Sequence, residues 1–214
     1  MQEGGSMRLE AMNISFQYDN GNRKILNNVS MSLESGERVG LKAPSGFGKT
    51  TFCKILAGYE KPDHGTVALD GKSISSWGGY NPVQMIWQHP ELSVNPRLKM
   101  REVLREGDCV EERVVRGLGI EPDWLNRYPG ELSGGELQRF CIARALGKRT
   151  RFILADEISA MLDLITQSQI WGFLLEEVKT RELGLLVVSH SEELLERVCG
   201  RVADLRTDSL TVWI

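Results

Sequence analysis

Clustered cysteine is missing from this sequence of 214 residues. Cys53, Cys109, Cys141 and Cys199 stand far apart with no C-x-x-C pair, so a disulfide framework and a thiolate metal centre are both excluded, and the four read as reduced, packed thiols of a cytosolic protein. Histidine is scarce, with three in all, and nothing clusters at metal-ligand spacing. Charge of one sign is missing too. Lys and Arg number 26 against 29 Asp and Glu, a net charge of −3, and the basic residues are scattered, so there is no electrostatic footprint for nucleic acid. No apolar run approaches the ~20 residues of a membrane span, and Met1 to Met7 has neither the charged nor the apolar part of a signal peptide. A soluble, cytoplasmic chain is expected, with any membrane association indirect. Repeats, low-complexity tracts and linkers are absent as well. With 41% apolar residues, the chain can build one compact α/β unit with a real core.

What is present is organised around Val39-Gly40-Leu41-Lys42 and the stretch behind it. A short apolar strand runs into Ala43-Pro44-Ser45-Gly46-Phe47-Gly48-Lys49-Thr50-Thr51, a glycine-rich loop followed by a helix opening. Successive N–H groups of such a loop converge on one point, and the helix adds the positive end of its dipole there, which makes an anion nest. Lys49 is placed to reach the terminal phosphates of a nucleotide and the Thr50 hydroxyl to ligate Mg²⁺. The pattern G-x-x-x-x-G-K-[ST] is broken once, by Ala43 at its first glycine. A left-handed alanine is strained by ~1 kcal/mol, so a negative φ is expected at Ala43.

Alternating apolar residues at Ile14, Phe16 and Tyr18, and again at Val29, Met31 and Leu33, predict antiparallel strands around the turn residues Asp19-Asn20-Gly21-Asn22. A helix with Phe52, Ile55 and Leu56 on one face ends at Gly58; a short strand follows over Thr66 to Leu69 and a buried one over Val83 to Trp87. From His89 to about Pro129 the segments become charged and helical, over Met100 to Arg105 and Asp108 to Leu118. A helix from about Glu136 to Leu146, a strand Phe152 to Ala155, a helix Thr166 to Lys179, a strand Leu185 to Val188 and a helix capped by Ser191 precede two closing strands. Buried strands alternating with helices predict a parallel sheet covered on both faces. The domain is expected over 7–214, with a sheet core at 7–88 and 141–214 and a helical subdomain inserted at about 89–140.

Two further motifs carry chemistry. Phe152-Ile153-Leu154-Ala155-Asp156-Glu157 is a buried strand ending in paired acids, and ligands bind at the carboxyl edge of such sheets. Asp156 is then expected to face Mg²⁺ through water and Glu157 to accept a proton from water attacking a γ-phosphate; the plain alternative is a strand-end helix cap. Leu132-Ser133-Gly134-Gly135-Glu136-Leu137-Gln138 sets a serine and two glycines at a helix N-terminus, an anion-binding end with no bulky side chain in the way.

With the phosphate loop and paired acids, this stretch resembles the signature of the ATP-binding cassette family, and the likeness covers nearly the whole chain. The resemblance implies a P-loop NTPase core of RecA type with an N-terminal antiparallel β subdomain and an inserted helical one. It also implies ATP and Mg²⁺ as cofactors and a second ATPase subunit whose signature (Ser133, Gly134, Gly135) closes over the γ-phosphate held by its partner's loop. It gives Tyr18 the role of stacking on adenine, although alone it reads as strand core. Gln88 would meet Mg²⁺ and the attacking water, His190 the γ-phosphate, and Asp163 the loop that crosses the dimer interface. Two departures stand out. After Asp156-Glu157 the sequence runs Ile158-Ser159-Ala160-Met161-Leu162-Asp163 without the family's proline, which is expected to loosen the turn, and Ser191 stands where many members have Asp. Gln88-His89-Pro90 with Ser93-Val94-Asn95-Pro96-Arg97 resembles the ATPases of oligopeptide, dipeptide and nickel importers, although longer members continue past the point where Ile214 stands. That branch implies transmembrane permease partners and a peripheral place on the inner face of the membrane. A permease-free ATPase of a soluble complex and a non-hydrolysing nucleotide-dependent module are the alternatives.

Overall fold

The computed structural model describes residues 6–18, 24–159 and 162–205. Its elements in chain order are β1 (Arg8–Phe16), β2 (Leu26–Glu34), β3 (Arg38–Lys42), α1 (Lys49–Leu56), β4 (His64–Leu69), β5 (Lys72–Ser73) and β6 (Val83–Ile86). They continue with α2 (Met100–Glu106), α3 (Glu112–Gly117), α4 (Gly134–Ala145), β7 (Phe152–Asp156), α5 (Leu164–Thr180), β8 (Gly184–Val188), α6 (Glu192–Val198) and β9 (Arg201–Asp204).

Strands β2-β1-β4-β5 form an antiparallel sheet, and β6-β7-β8-β3-β9 form a second sheet whose described pairs are all parallel. The predicted α/β architecture is therefore observed, with a RecA-like parallel core beside an N-terminal antiparallel sheet. Side chains alternate across each strand, and the parallel sheet divides its residues accordingly. Phe152, Leu154, Leu186 and Val188 pack with α1 and the antiparallel sheet in one hydrophobic cluster. Ile153, Ala155, Leu185 and Val187 face the other way, into a cluster with α4, α5 and α6 and with Met100, Val103 and Val114 of the helical segment. Residues buried on both faces explain why β7 and β8 read as unbroken apolar runs. Helix α4 runs without a break across position 140.

Local differences from the expected elements have identifiable causes. The helix expected over Asp108 to Leu118 forms only as α3, because Asp108 is held elsewhere: its carboxylate accepts hydrogen bonds from the Arg149 backbone N–H at 3.0 Å and the Arg149 guanidinium at 2.7 Å. Cys109 then turns through φ +48°. Helix α3 is tied to α5 by an ion pair between Arg113 and the buried Glu177, and Arg181, also beside Glu177, donates to the carbonyls of Leu146 and Gly147. The turn at 19–22 and the last closing strand lie outside the described residues.

Strand β4 approaches β1 most closely at Gly65, where φ is +90° and an added Cβ would lie 2.4 Å from the Met12 carbonyl oxygen and 2.5 Å from that of Asn13. Both neighbours are backbone and cannot rotate away. The Gly65→Ala protein is expected to lose about 2–4 kcal/mol, the sum of left-handed strain and overpacking, read as a lowered urea midpoint with an unchanged slope.

Candidate functional site

The parallel register fixes which strand ends meet. Leu41 of β3 is level with Val188 of β8, Val188 with Asp156 of β7, and Ala155 with Ile86 of β6. The residues that follow each strand therefore emerge along one carboxyl edge: the loop after Lys42, then His190, then Glu157, then Gln88.

The loop 43–48 crosses from β3 into α1. Ala43 is buried and has a negative φ, as expected, whereas Gly46 and Gly48 take φ +78° and +84°. An added Cβ at Gly48 would sit 2.7 Å from the Ile25 side chain, so the second of these glycines is required by crowding as well as by conformation. Pro44 and Ser45 are exposed on the outer side of the loop, and the Phe47 N–H reaches back to the Pro44 carbonyl at 3.4 Å. Lys49, the first residue of α1, folds under the loop, with its ammonium donating to the carbonyls of Ala43 at 2.7 Å and Pro44 at 3.2 Å. Burial lowers its pKa, while the negative charges of Glu157 and Asp156 oppose that shift.

Asp156 and Glu157 differ in environment. Asp156 is 2% exposed at the end of β7. Burial raises its pKa against the opposing effects of the Thr50 hydroxyl and the Lys49 charge. Its Oδ1 has no hydrogen-bond partner among the described residues. A buried carboxylate with a free oxygen next to a threonine hydroxyl is a hard-oxygen donor set of the kind that suits Mg²⁺. Glu157 leaves the strand through φ +51°, a left-handed turn uncommon outside glycine. Its Oε1 lies 3.3 Å from the His190 imidazole Nε2 without an aligned hydrogen bond, with the histidine exposed and the glutamate side chain largely shielded. Burial raises the Glu157 pKa, and His190 and Lys49 partly offset it.

Tyr18 lies beyond the end of β1, and its hydroxyl is 3.2 Å from the hydroxyl of Thr51 in α1. The ring is 44% exposed beside the loop, with its inner edge against Phe16. Gln88 is half-buried just past β6. The edge thus gathers Tyr18, residues 43–51, Gln88, Asp156, Glu157 and His190.

The remaining expected residues lie apart. Ser133 caps α4, accepting from the Glu136 N–H at 3.3 Å while the Glu136 carboxylate accepts from the Ser133 N–H at 2.7 Å, a reciprocal capping box. Neither bond reaches the loop 43–51. Space beside Gly134 is open, and a Cβ on Gly135 would touch Leu162 at 3.4 Å. Asp163 caps α5, accepting from the N–H groups of Ile165 and Thr166 at 3.0 Å each, and the Thr166 hydroxyl, together with those N–H groups, holds its carboxyl below its ordinary pKa. The first residues of the stretch without proline are anchored. Ile158 is buried, and Ser159 Oγ accepts from the Trp171 indole at 3.1 Å and the Gln167 amide at 3.3 Å. Met161 lies outside the described residues. Sequence reasoning gave no role to Arg139, which donates to the Leu118 carbonyl and, at 3.0 Å, to the Gln169 amide oxygen; its partners are distant in sequence, so no local signal marks it.

The profile of one family, described as ABC transporter, matches residues 26–160. This chain belongs to the ABC transporter family. ATP is accordingly its nucleotide and ATP hydrolysis its reaction. Among similar proteins is a nickel import ATP-binding protein NikE of Rhodospirillum rubrum, 34% identical over 84% of this chain and 72% of its own length. An oligopeptide transport ATP-binding protein OppF of Streptococcus mutans is 31% identical over 94% and 73%. The dimeric structure of the ATP-binding cassette MJ0796 superposes with a TM-score of 0.78 at 25% identity, covering 94% of this chain and 96% of that one. Among the described residues no helix is long and apolar enough to cross a membrane.

The capping box makes Ser133 separable from the ATP edge in the isolated ABC cassette. Ser133→Ala is expected to cost about 1 kcal/mol and Ser133→Gly only a few tenths, measured by urea unfolding of the free chain.

Proposed function

We propose that this chain is the ATP-hydrolysing subunit of a membrane importer for nickel or oligopeptides, held at the inner face of the membrane by transmembrane permease subunits and working as a pair with a second cassette. The printed names of the relatives support the importer branch. The observation that carries hydrolysis is the shielded Glu157 carboxylate beside His190 on the same edge as Lys49.

In this reading the loop 43–51 holds the phosphates, with Lys49 on the terminal ones, and Tyr18 stacks on the adenine. Thr50, Gln88 and Asp156 hold Mg²⁺, which when bound neutralises charge on the phosphate oxygens. Glu157 takes a proton from water as the water oxygen bonds to the γ-phosphorus. The bond from that phosphorus to the bridging oxygen breaks, and its electron pair leaves with ADP. Lys49 and His190, with the signature N–H groups of Gly134 and Gly135 from the second subunit, stabilise the charge that develops on the phosphoryl oxygens. Asp163 places the interface loop between the two subunits.

A groove of about 530 Å³ supports the permease partner. It runs between the sheet core and the helical segment and is lined by Tyr59, Trp87, Leu92 and Arg144 among others. Leu92 is 77% and Tyr59 56% exposed. Exposed apolar side chains on the rim of a largely polar groove suit a protein contact, and Trp87 leads directly into Gln88, so a docked permease segment would sit next to the hydrolytic edge.

Three outcomes are expected. The Glu157→Gln protein binds ATP and pairs but loses about 10²–10⁴-fold in kcat, the usual worth of a general base; wild-type turnover would remove Glu157 from that role. Because ionised Glu157 is the active form and burial raises its pKa, the wild-type rate falls with acid along a limb lying above the ordinary 4.5. Separately, Leu92→Glu in the groove is expected to leave hydrolysis by the isolated chain unchanged and to abolish co-purification of membrane proteins from detergent extracts.

A further inference from the structure

Gln138 lies in the second turn of α4 and is 2% exposed. Its Nε2 donates to the main-chain carbonyl of Trp87 at 3.3 Å, and its Oε1 has no hydrogen-bond partner among the described residues. A buried amide with one long hydrogen bond and one orphaned acceptor is a poor way to stabilise a core, since an apolar side chain of the same length would fill the space without the desolvation penalty. The surroundings are apolar in any case, with Leu137, Phe140, Cys141 and Ile86 in the same cluster. A buried, half-satisfied polar group in such a place calls for a reason other than packing.

The partner supplies that reason. The carbonyl of Trp87 belongs to the peptide that joins Trp87 to Gln88, so the bond fixes the plane from which the Gln88 side chain departs. The donor belongs to the helix that opens with Ser133-Gly134-Gly135, three to five residues upstream of Gln138. One side chain therefore connects the helix carrying the signature to the peptide carrying Gln88. The geometry points to Gln138 as a positioning residue: we infer that it sets the orientation of Gln88 according to where the signature helix stands, so that closure of the signature over ATP and placement of Gln88 occur together. This rests on the reading of Gln88 as a group at the Mg²⁺ and attacking water.

The test is ATP turnover by the purified chain carrying Gln138→Met, Gln138→Leu, Gln88→Ala and each double change, with thermal unfolding alongside. In Gln138→Met, kcat is expected to fall about tenfold, as for a misplaced reacting group, with KM for ATP within about twofold and the melting temperature equal to or above that of the wild type. In the Gln88→Ala background the same change is expected to have no further effect on kcat, because residues acting through one another are non-additive. Additive losses, wild-type kcat in Gln138→Met, or failure of both apolar variants to fold would overturn the inference. Wild-type turnover in Gln88→Ala is a different failure, since it removes the role of Gln88 itself and the inference with it.

Discussion

The site depends on the register of four strands. Parallel pairing of β3, β6, β7 and β8 makes each strand end level with its neighbour, and no side-chain contact is needed to bring four segments from different parts of the chain to one edge. What holds that register is the two-faced burial of β7 and β8, whose residues are nearly all below 2% exposure. A slip of one residue would turn Ile153 and Leu185 towards the antiparallel sheet and exchange the two clusters. The same burial acts on the carboxylates at the strand end, raising the pKa values of Asp156 and Glu157. Packing and electrostatics therefore have one origin here.

Lys49 shows how the edge is held ready. Its ammonium is desolvated, yet it rests on two carbonyls of the loop it follows and feels two carboxylates. Those contacts keep a buried cation affordable and hold the ammonium under the loop. Preorganised donors of this kind need little rearrangement when charge develops.

Much of this was legible in the sequence because it is local. A strand, a glycine-rich turn and a helix opening are written in consecutive residues from Val39 to Phe52, and the paired acids end an apolar run, so both could be assigned without tertiary knowledge. Ala43 was legible for the same reason, since its departure from glycine constrains only its own φ. What could not be read depends on partners remote in the chain. Asp108 looked like the start of a helix until Arg149, 41 residues away, claimed its carboxylate. The missing proline after Glu157 suggested a loose turn, whereas Trp171 and Gln167, one helix later, secure Ser159 there. Gln138 sat in a recognised motif, but its meaning lies in the Trp87 carbonyl, 51 residues earlier.

The capping geometry also limits how the signature can act. The hydroxyl and N–H of Ser133 are engaged with Glu136, while the start of α4 at Gly134 faces open space with nothing within 4 Å of where a side chain would begin. The positive end of the helix dipole is therefore left uncovered beside Gly134 among the described residues. That end stabilises an anion only within about a turn of the helix. A phosphate brought to that end from outside the chain satisfies both facts, and in the proposed pair a second cassette facing the first would deliver one to each signature. In the proposed pairing, the sequence separation between Lys49 and Ser133 is no obstacle, because the two halves of each ATP site would come from different molecules.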